Sequence, residues 1–185
     1  MKLLVYGSSE FGAVLRDVLA DCGHEFAGFI DDVHPKNPGV LGSFEQVRAS
    51  HPPSAAGLVL AIGYKHLEAR RKVFESARAA GYRFPPLVHP AAHVHPSAKV
   101  GEGAVVMARA IVDRQANVGE ACVLWPGVNV SHDSRIGANT FASPSAVVCG
   151  FVEVGRDCFL GAGSVIADHR TVPDGSFVKA GSTFA

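Results

Sequence analysis

From Val88 to Val178 an aliphatic residue returns at every sixth position, and only Ala142 interrupts the series. Four residues after each of these comes a small side chain, as at Ala104, Ala110, Ala116, Cys122, Ser134, Thr140 and Cys158; Arg170 is the exception. A period of six fits neither the helical turn of roughly 3.6 residues nor the simple alternation of a lone strand, and it is the signature of a parallel β-helix. Each hexad supplies a short strand with its aliphatic residue turned inward, then a corner where only a small side chain fits. Three such sides close a triangular coil, so residues eighteen apart lie above one another. The series makes about five coils, past the three repeats a stacked core needs. So long an unbroken phase argues against a β-sandwich with accidental periodicity.

The residues before the repeats read differently. Strands are expected at Lys2–Tyr6, Phe26–Ile30 and Leu58–Ile62. One helix carries Val14, Leu15, Val18 and Leu19 and stops at Gly23, and another runs over Lys65–Ala80 and is closed by Gly81. Alternating strands and helices predict a small α/β unit with a parallel sheet over residues 1–84, and Pro85 and Pro86 separate it from a solenoid over 85–185. The turn Gly7-Ser8-Ser9-Glu10-Phe11-Gly12 lies between strand and helix, where backbone N–H groups can hold a phosphate. Asp31 and Asp32 follow the second strand, where a dinucleotide fold places its ribose-binding acid. Ser9 replaces the middle glycine of that fingerprint, and Glu10 sets a negative charge where a phosphate approaches. On its own the turn fits a structural strand-to-helix connection as well as a nucleotide site.

Charge narrows the partners. The chain carries 17 basic and 17 acidic residues, evenly mixed and without a basic block, which speaks against nucleic acid or an anionic membrane surface. No basic segment precedes the strand Leu3–Tyr6 and no cleavage site follows it, so neither signal peptide nor membrane span is expected and a cytoplasmic enzyme is predicted. None of the four cysteines has metal-ligand spacing.

The repeat pattern resembles the hexapeptide-repeat acyltransferases, and that resemblance implies a left-handed coil. The two halves together are similar to the sialic acid O-acetyltransferase family, which includes bacterial enzymes that N-acetylate UDP-4-amino-sugars. The resemblance implies that Ser9, Glu10, Phe11, Asp31, Asp32 and Gly63 hold the nucleotide of a sugar, with Arg70 or Arg71 from the following helix. The segment Val130-Ser131-His132-Asp133-Ser134 resembles the family's Val-Asn-His-Asp-Cys, which implies that His132 is the general base and Asp133 its orienting acid. Gly150 stands eighteen residues beyond His132, hence directly above it, with a backbone N–H unshielded by a side chain. In the family the matching amide polarises the thioester carbonyl. The implied donor is acetyl-CoA, bound where neighbouring subunits meet, with contacts near Phe141, Gly150, Ala162 and Ala180. No Gly-x-Pro-Ala-Lys tail follows the last hexad, so the tail's contacts with the coenzyme are expected to be absent or altered.

Transfer of an acetyl group needs a base and donors for the developing oxyanion, and histidine is the natural base near neutral pH. Among nine histidines, His132 is the one within the repeats followed directly by a carboxylate. His89, His93 and His95 open the solenoid on outward positions. A zinc site of the γ-carbonic-anhydrase kind pairs two histidines five apart with a third two coils earlier. His95 precedes His132 by 37 residues, but positions 127 and 137 are both glycine, so no metal is expected. The resulting expectation is acetyl-CoA-dependent N-acetylation of a nucleotide-linked amino sugar. The alternatives are O-acetylation of a sialic-acid-like sugar, zinc-dependent carbonate hydration, or a non-catalytic sugar-nucleotide-binding scaffold. Val105, Val123, Phe141, Phe159 and Phe177 form a second ladder one residue before inward positions. Alternation turns them outward, and an apolar stripe on a triangular prism predicts a homotrimer.

Overall fold

The computed structural model describes residues 1–185, which form two compact units, Met1–Pro85 and Pro86–Ala185. In the first unit, β1 (Lys2–Tyr6), β2 (Glu25–Ile30), β3 (Val40–Gly42) and β4 (Gly57–Leu60) form one parallel sheet in the order β3-β2-β1-β4. Helix α1 (Glu10–Asp21) joins β1 to β2, α2 (Phe44–Ser50) joins β3 to β4, and α3 (Leu67–Ala79) follows β4. The central strand buries Leu3, Leu4 and Val5 completely, as expected of parallel strands covered on both faces. Helix α1 turns Leu15, Val18 and Leu19 inward at helical spacing. The expected helix over Lys65–Ala80 is divided: a 3₁₀ turn at Tyr64–His66 leads into α3. Strand β3 and helix α2 were not expected. Ser43 caps α2, its side chain accepting from the Gln46 N–H while the Gln46 side chain accepts from the Ser43 N–H.

Two glycines fix the turn after β1. Gly7 has φ +114°, and a Cβ there would stand 2.6 Å from the Ala61 carbonyl oxygen. At Gly12 a Cβ would stand 2.3 Å from the Gly7 carbonyl oxygen, so α1 packs directly on the turn only because this residue has no side chain.

The second unit is a left-handed parallel β-helix. Its two-residue strands stack into three faces. The first carries Leu87–Val88, Val105–Val106, Val123–Leu124, Phe141–Ala142, Phe159–Leu160 and Phe177–Val178. The second carries His93–Val94, Ile111–Val112, Asn129–Val130, Val147–Val148, Val165–Ile166 and Thr183–Phe184. The third carries Lys99–Val100, Asn117–Val118, Arg135–Ile136, Glu153–Val154 and Thr171–Val172. Each strand pairs in parallel with the one eighteen residues on, as in Asn129↔Val147 and Arg135↔Glu153. The inward series and the small corner residues form one core, with Val106, Val118, Leu124, Val130 and Val148 at 0% exposure. Polar corner residues are satisfied inside it. Ser134 donates to the Cys149 carbonyl at 2.7 Å and accepts from the Val152 N–H; Thr140 does the same with Gly155 and Cys158 one hexad on. Arg170 breaks the small-residue series without breaking the coil: its side chain is exposed, and its carbonyl still accepts from the Glu153 N–H.

Every hexad from residue 103 to 181 also holds one corner residue at positive φ. Gly103, Gly127, Gly163, Gly175 and Gly181 take five of these places, and nine go to residues that bear a steric penalty there, including Gln115, Asp133 and Phe151.

The outward ladder on the first face is largely covered. Val105 and Val123 are buried, and Phe141 is 5% exposed, packed against Trp125 and Phe159 at centroid distances of 6.1 and 6.3 Å. Only the upper end stays open, with Phe159 half-buried and Phe177 at 65% exposure. The expected five-residue open stripe is therefore corrected to its last two members, because alternation sets direction but not cover.

Candidate active site

The corner between the second and third faces carries a stacked column of polar and aromatic side chains. His132 projects from it with 47% of its side chain exposed. Its Nδ1 lies 3.0 Å from Asp133 Oδ2, and the same oxygen accepts from Arg114 Nη2 at 3.2 Å. A carboxylate only accepts, so Nδ1 carries the hydrogen and the lone pair sits on Nε2. Within the chain Nε2 has no hydrogen bond. Asp133 adopts φ 58°, a conformation that Asp tolerates better than most residues and that swings its carboxylate back beside the ring of its neighbour. Arg114, one coil below His132, was not anticipated, although its place eighteen residues earlier was available as a signal.

Gly150 occupies the coil above, about 4.8 Å away by strand spacing. A Cβ there would meet His132 Cε1 at 2.9 Å and Nε2 at 3.0 Å. Around it the backbone ladder runs through the amides of Cys149 and Phe151 and the carbonyl of Gly150, which accepts from His169. The Gly150 N–H takes no part. Proline fills the equivalent corner position at residues 126 and 144, confirming that the coil does not use this N–H. At Gly150 alone the unused donor stands over an imidazole.

The residues expected to touch the coenzyme are spread out. Ala162 and Ala180 share the corner between the first and second faces, so the second face, with Asn129, Val147 and Val165, spans from them to His132 and Gly150. Phe141 lies on the first face and is buried, which leaves it almost no surface for a ligand.

In the first unit a cavity of about 480 Å³ opens at the carboxyl ends of the strands, where open α/β sheets bind ligands. Ser9, Asp31, Asp32 and Gly63 line it; Glu10 and Phe11 do not. Glu10 is exposed in the first turn of α1, where a carboxylate complements the helix dipole. The wall contributed by α3 is Ala69 and Val73, with His66 just before the helix, and Arg70 is instead 1% exposed in the interior. Val33, Ala61 and Ile62 add apolar surface.

The two aspartates differ in what they have left to offer. Asp31 is 6% exposed and accepts from the Ser8 hydroxyl at 2.5 Å, the Ser8 N–H at 2.9 Å, the Val33 N–H at 2.9 Å and the His34 N–H at 2.8 Å. It clamps the turn after β1 to the end of β2. Asp32 is exposed, accepting from the Tyr6 hydroxyl and from the Phe44 N–H at 2.8 Å, with one lone pair free on each oxygen. Burial first, and then the Asp32 hydrogen bond, hold the Tyr6 phenol well above its ordinary range, so it stays a donor.

Burial pushes the Asp31 carboxyl up, but its hydrogen bonds from Ser8, His34 and Val33 outweigh this and hold it at about 2. A carboxylate depressed below its unfolded value of 3.8 contributes stability that is present above that value and is lost as pH falls through about 2. Asp31→Asn should destabilise the first unit at neutral pH and flatten its stability between about pH 4 and 2. Thermal unfolding across that range checks this, and identical pH profiles for variant and parent would refute the clamp.

No group of three or more His, Cys, Asp or Glu side chains is arranged to hold a metal, and no helix is long and apolar enough to cross a membrane.

Comparison with known proteins identifies the family. The family model for the PglD N-terminal domain matches residues 2–77, and that for the bacterial transferase hexapeptide (six repeats) matches residues 133–168. The acetyltransferase domain of PglB from Neisseria gonorrhoeae, solved with acetyl coenzyme A, is 30% identical, with 97% of this chain and 88% of that one covered and a TM-score of 0.87. PerB from Caulobacter crescentus, solved with CoA and GDP-perosamine, is 28% identical, with 100% and 89% covered and a TM-score of 0.92. WeeI from Acinetobacter baumannii, at 20% identity, 99% and 96% coverage and a TM-score of 0.75, shares the fold. With 30% identity to the PglB domain across nearly its whole length, the chain belongs to the hexapeptide-repeat acyltransferases, among the relatives of PglB and PerB.

Proposed function

We propose that this protein transfers the acetyl group of acetyl-CoA to the amine of a nucleotide-linked amino sugar. The observation that carries the reading is a histidine with Nδ1 on a carboxylate and Nε2 free, set beneath an unused backbone N–H at Gly150. The amine attacks the thioester carbonyl carbon, and the new C–N bond forms as His132 Nε2 takes the amine proton. Asp133 stabilises the imidazolium, and the Gly150 N–H holds the oxyanion. The C–S bond then breaks, and the sulfur of CoA receives the proton from Nε2.

The relatives support both substrates. PglB was solved with acetyl coenzyme A and PerB with CoA and GDP-perosamine, and the perosamine N-acetyltransferase was also solved in two variants of one histidine. The nucleotide-sugar site is the first unit's cavity. Gly63 lines it with φ −77° and open space around its missing Cβ, so neither its conformation nor its packing requires glycine, and close approach of a ligand supplies the reason. Asp32 is the acidic acceptor for the nucleotide, since Asp31 is already committed to the turn. Coenzyme contacts at Ala162 and Ala180 lie one prism edge from His132, which suits a ligand lying on the second face between subunits of a homotrimer. Four free cysteines and the use of acetyl-CoA fit a cytoplasmic location.

Thiol release from acetyl-CoA, followed with UDP- and GDP-linked 4-amino-sugars and with sialic acid as acceptors, tests the reading. Turnover with an amine acceptor is expected. Turnover confined to the hydroxyl acceptor would move the assignment to O-acetylation by the same residues. Sedimentation at micromolar concentration should give a trimer, and a monomer would refute the assembly.

A further inference from the structure

We propose that Phe151 is a positioning residue for His132. The inference rests on the reading of His132 as the base. Phe151 sits at φ 57°, a left-handed conformation that is a true outlier for a bulky side chain, and 51% of it is exposed. It therefore bears two costs, backbone strain and an aromatic ring in water, at a place in the hexad that other hexads give to Gly127, Gly163 or Gly175 on the other two corners. The coil imposes this conformation at eight other non-glycine corners, and Phe151 is the one among them that carries an apolar aromatic ring.

Both ring contacts of Phe151 are to histidines. It meets the His132 imidazole edge to face, with centroids 5.3 Å apart and planes at 85°. On its other side it stacks on His169 at 4.8 Å and 27°, and His169 is tied through Nδ1 to Asp168 Oδ2 at 3.1 Å. The column Asp168–His169–Phe151–His132–Asp133–Arg114 is thus continuous over four coils. The Asp133 bond fixes one atom of a half-exposed imidazole and leaves the ring free to swing about it. Phe151 supplies the second point of contact and keeps Nε2 beside Gly150. Reacting groups displaced by about 1 Å lose on the order of a hundredfold in rate, so a swinging base is costly.

The test compares steady-state kinetics and thermal unfolding of Phe151→Gly, Phe151→Ala and Phe151→Tyr. Phe151→Gly should unfold at a higher temperature than the parent, because the backbone strain is relieved, and yet lose about ten- to a hundredfold in kcat with KM for both substrates within about twofold. Phe151→Ala should show the same kcat loss, and Phe151→Tyr, which keeps the ring, should restore most of it. A glycine variant with parental kcat, or a loss confined to KM, overturns the proposal. His132→Ala separates the two levels: an active His132→Ala refutes the base itself, whereas an inactive one beside a fully active Phe151→Gly refutes only the positioning role.

Discussion

His132→Ala is expected to lower kcat by about 10²–10⁴-fold, the usual worth of a positioned general base, with coenzyme binding and fold intact. The fold should survive because His132 lies outside the solenoid core, with 47% of its side chain exposed. The ring bonds only to its neighbour Asp133, so its removal leaves no buried group without a partner. Turnover measured by thiol release, beside CoA affinity by calorimetry, separates loss of chemistry from loss of binding. A variant retaining near-parental turnover would remove His132 from the reaction.

The solenoid and this constellation were legible in the sequence for one reason. A six-residue phase fixes the strand register, and the register fixes which residues stack. Placing Gly150 over His132 required only the eighteen-residue coil, and the pairing of Asn129 with Val147 and of Arg135 with Glu153 on either side carries that register through the site. Arg114 was legible by the same arithmetic, one coil below His132. The left-handed corner in each hexad was not legible. Nine of its places lack glycine, because the closed coil imposes the conformation and local preference does not. In the first unit the nucleotide fingerprint did not distinguish Asp31 from Asp32. Only the folded chain shows that this carboxylate turns back on Ser8, Val33 and His34, leaving Asp32 with the open lone pairs. Helix α2 carried a readable signal in its Ser43–Gln46 capping pair, but seven residues gave too little apolar periodicity to mark it.

Gly150→Val should nearly abolish turnover while leaving the solenoid folded, and the two effects have separate physical causes. Gly150 is outside the left-handed region, so a branched residue meets no intrinsic backbone penalty there. The obstacle is His132, whose Cε1 and Nε2 lie 2.9 and 3.0 Å from the position of a Cβ. A real Cβ must push the imidazole aside, breaking its alignment with Asp133, and the valine methyls then fill the space where the thioester carbonyl would meet the Gly150 N–H. Losing base alignment and oxyanion access together is expected to cost at least about a hundredfold in kcat/KM, as much as removing a single oxyanion donor. Gly150→Ala refines the result, since it keeps the N–H and adds only the Cβ. An intermediate loss for alanine and a near-complete loss for valine, with unfolding temperatures within a few degrees of the parent, would show a steric effect graded by volume. Parental turnover and CoA affinity in the valine variant would mean that Gly150 does not face the reacting groups.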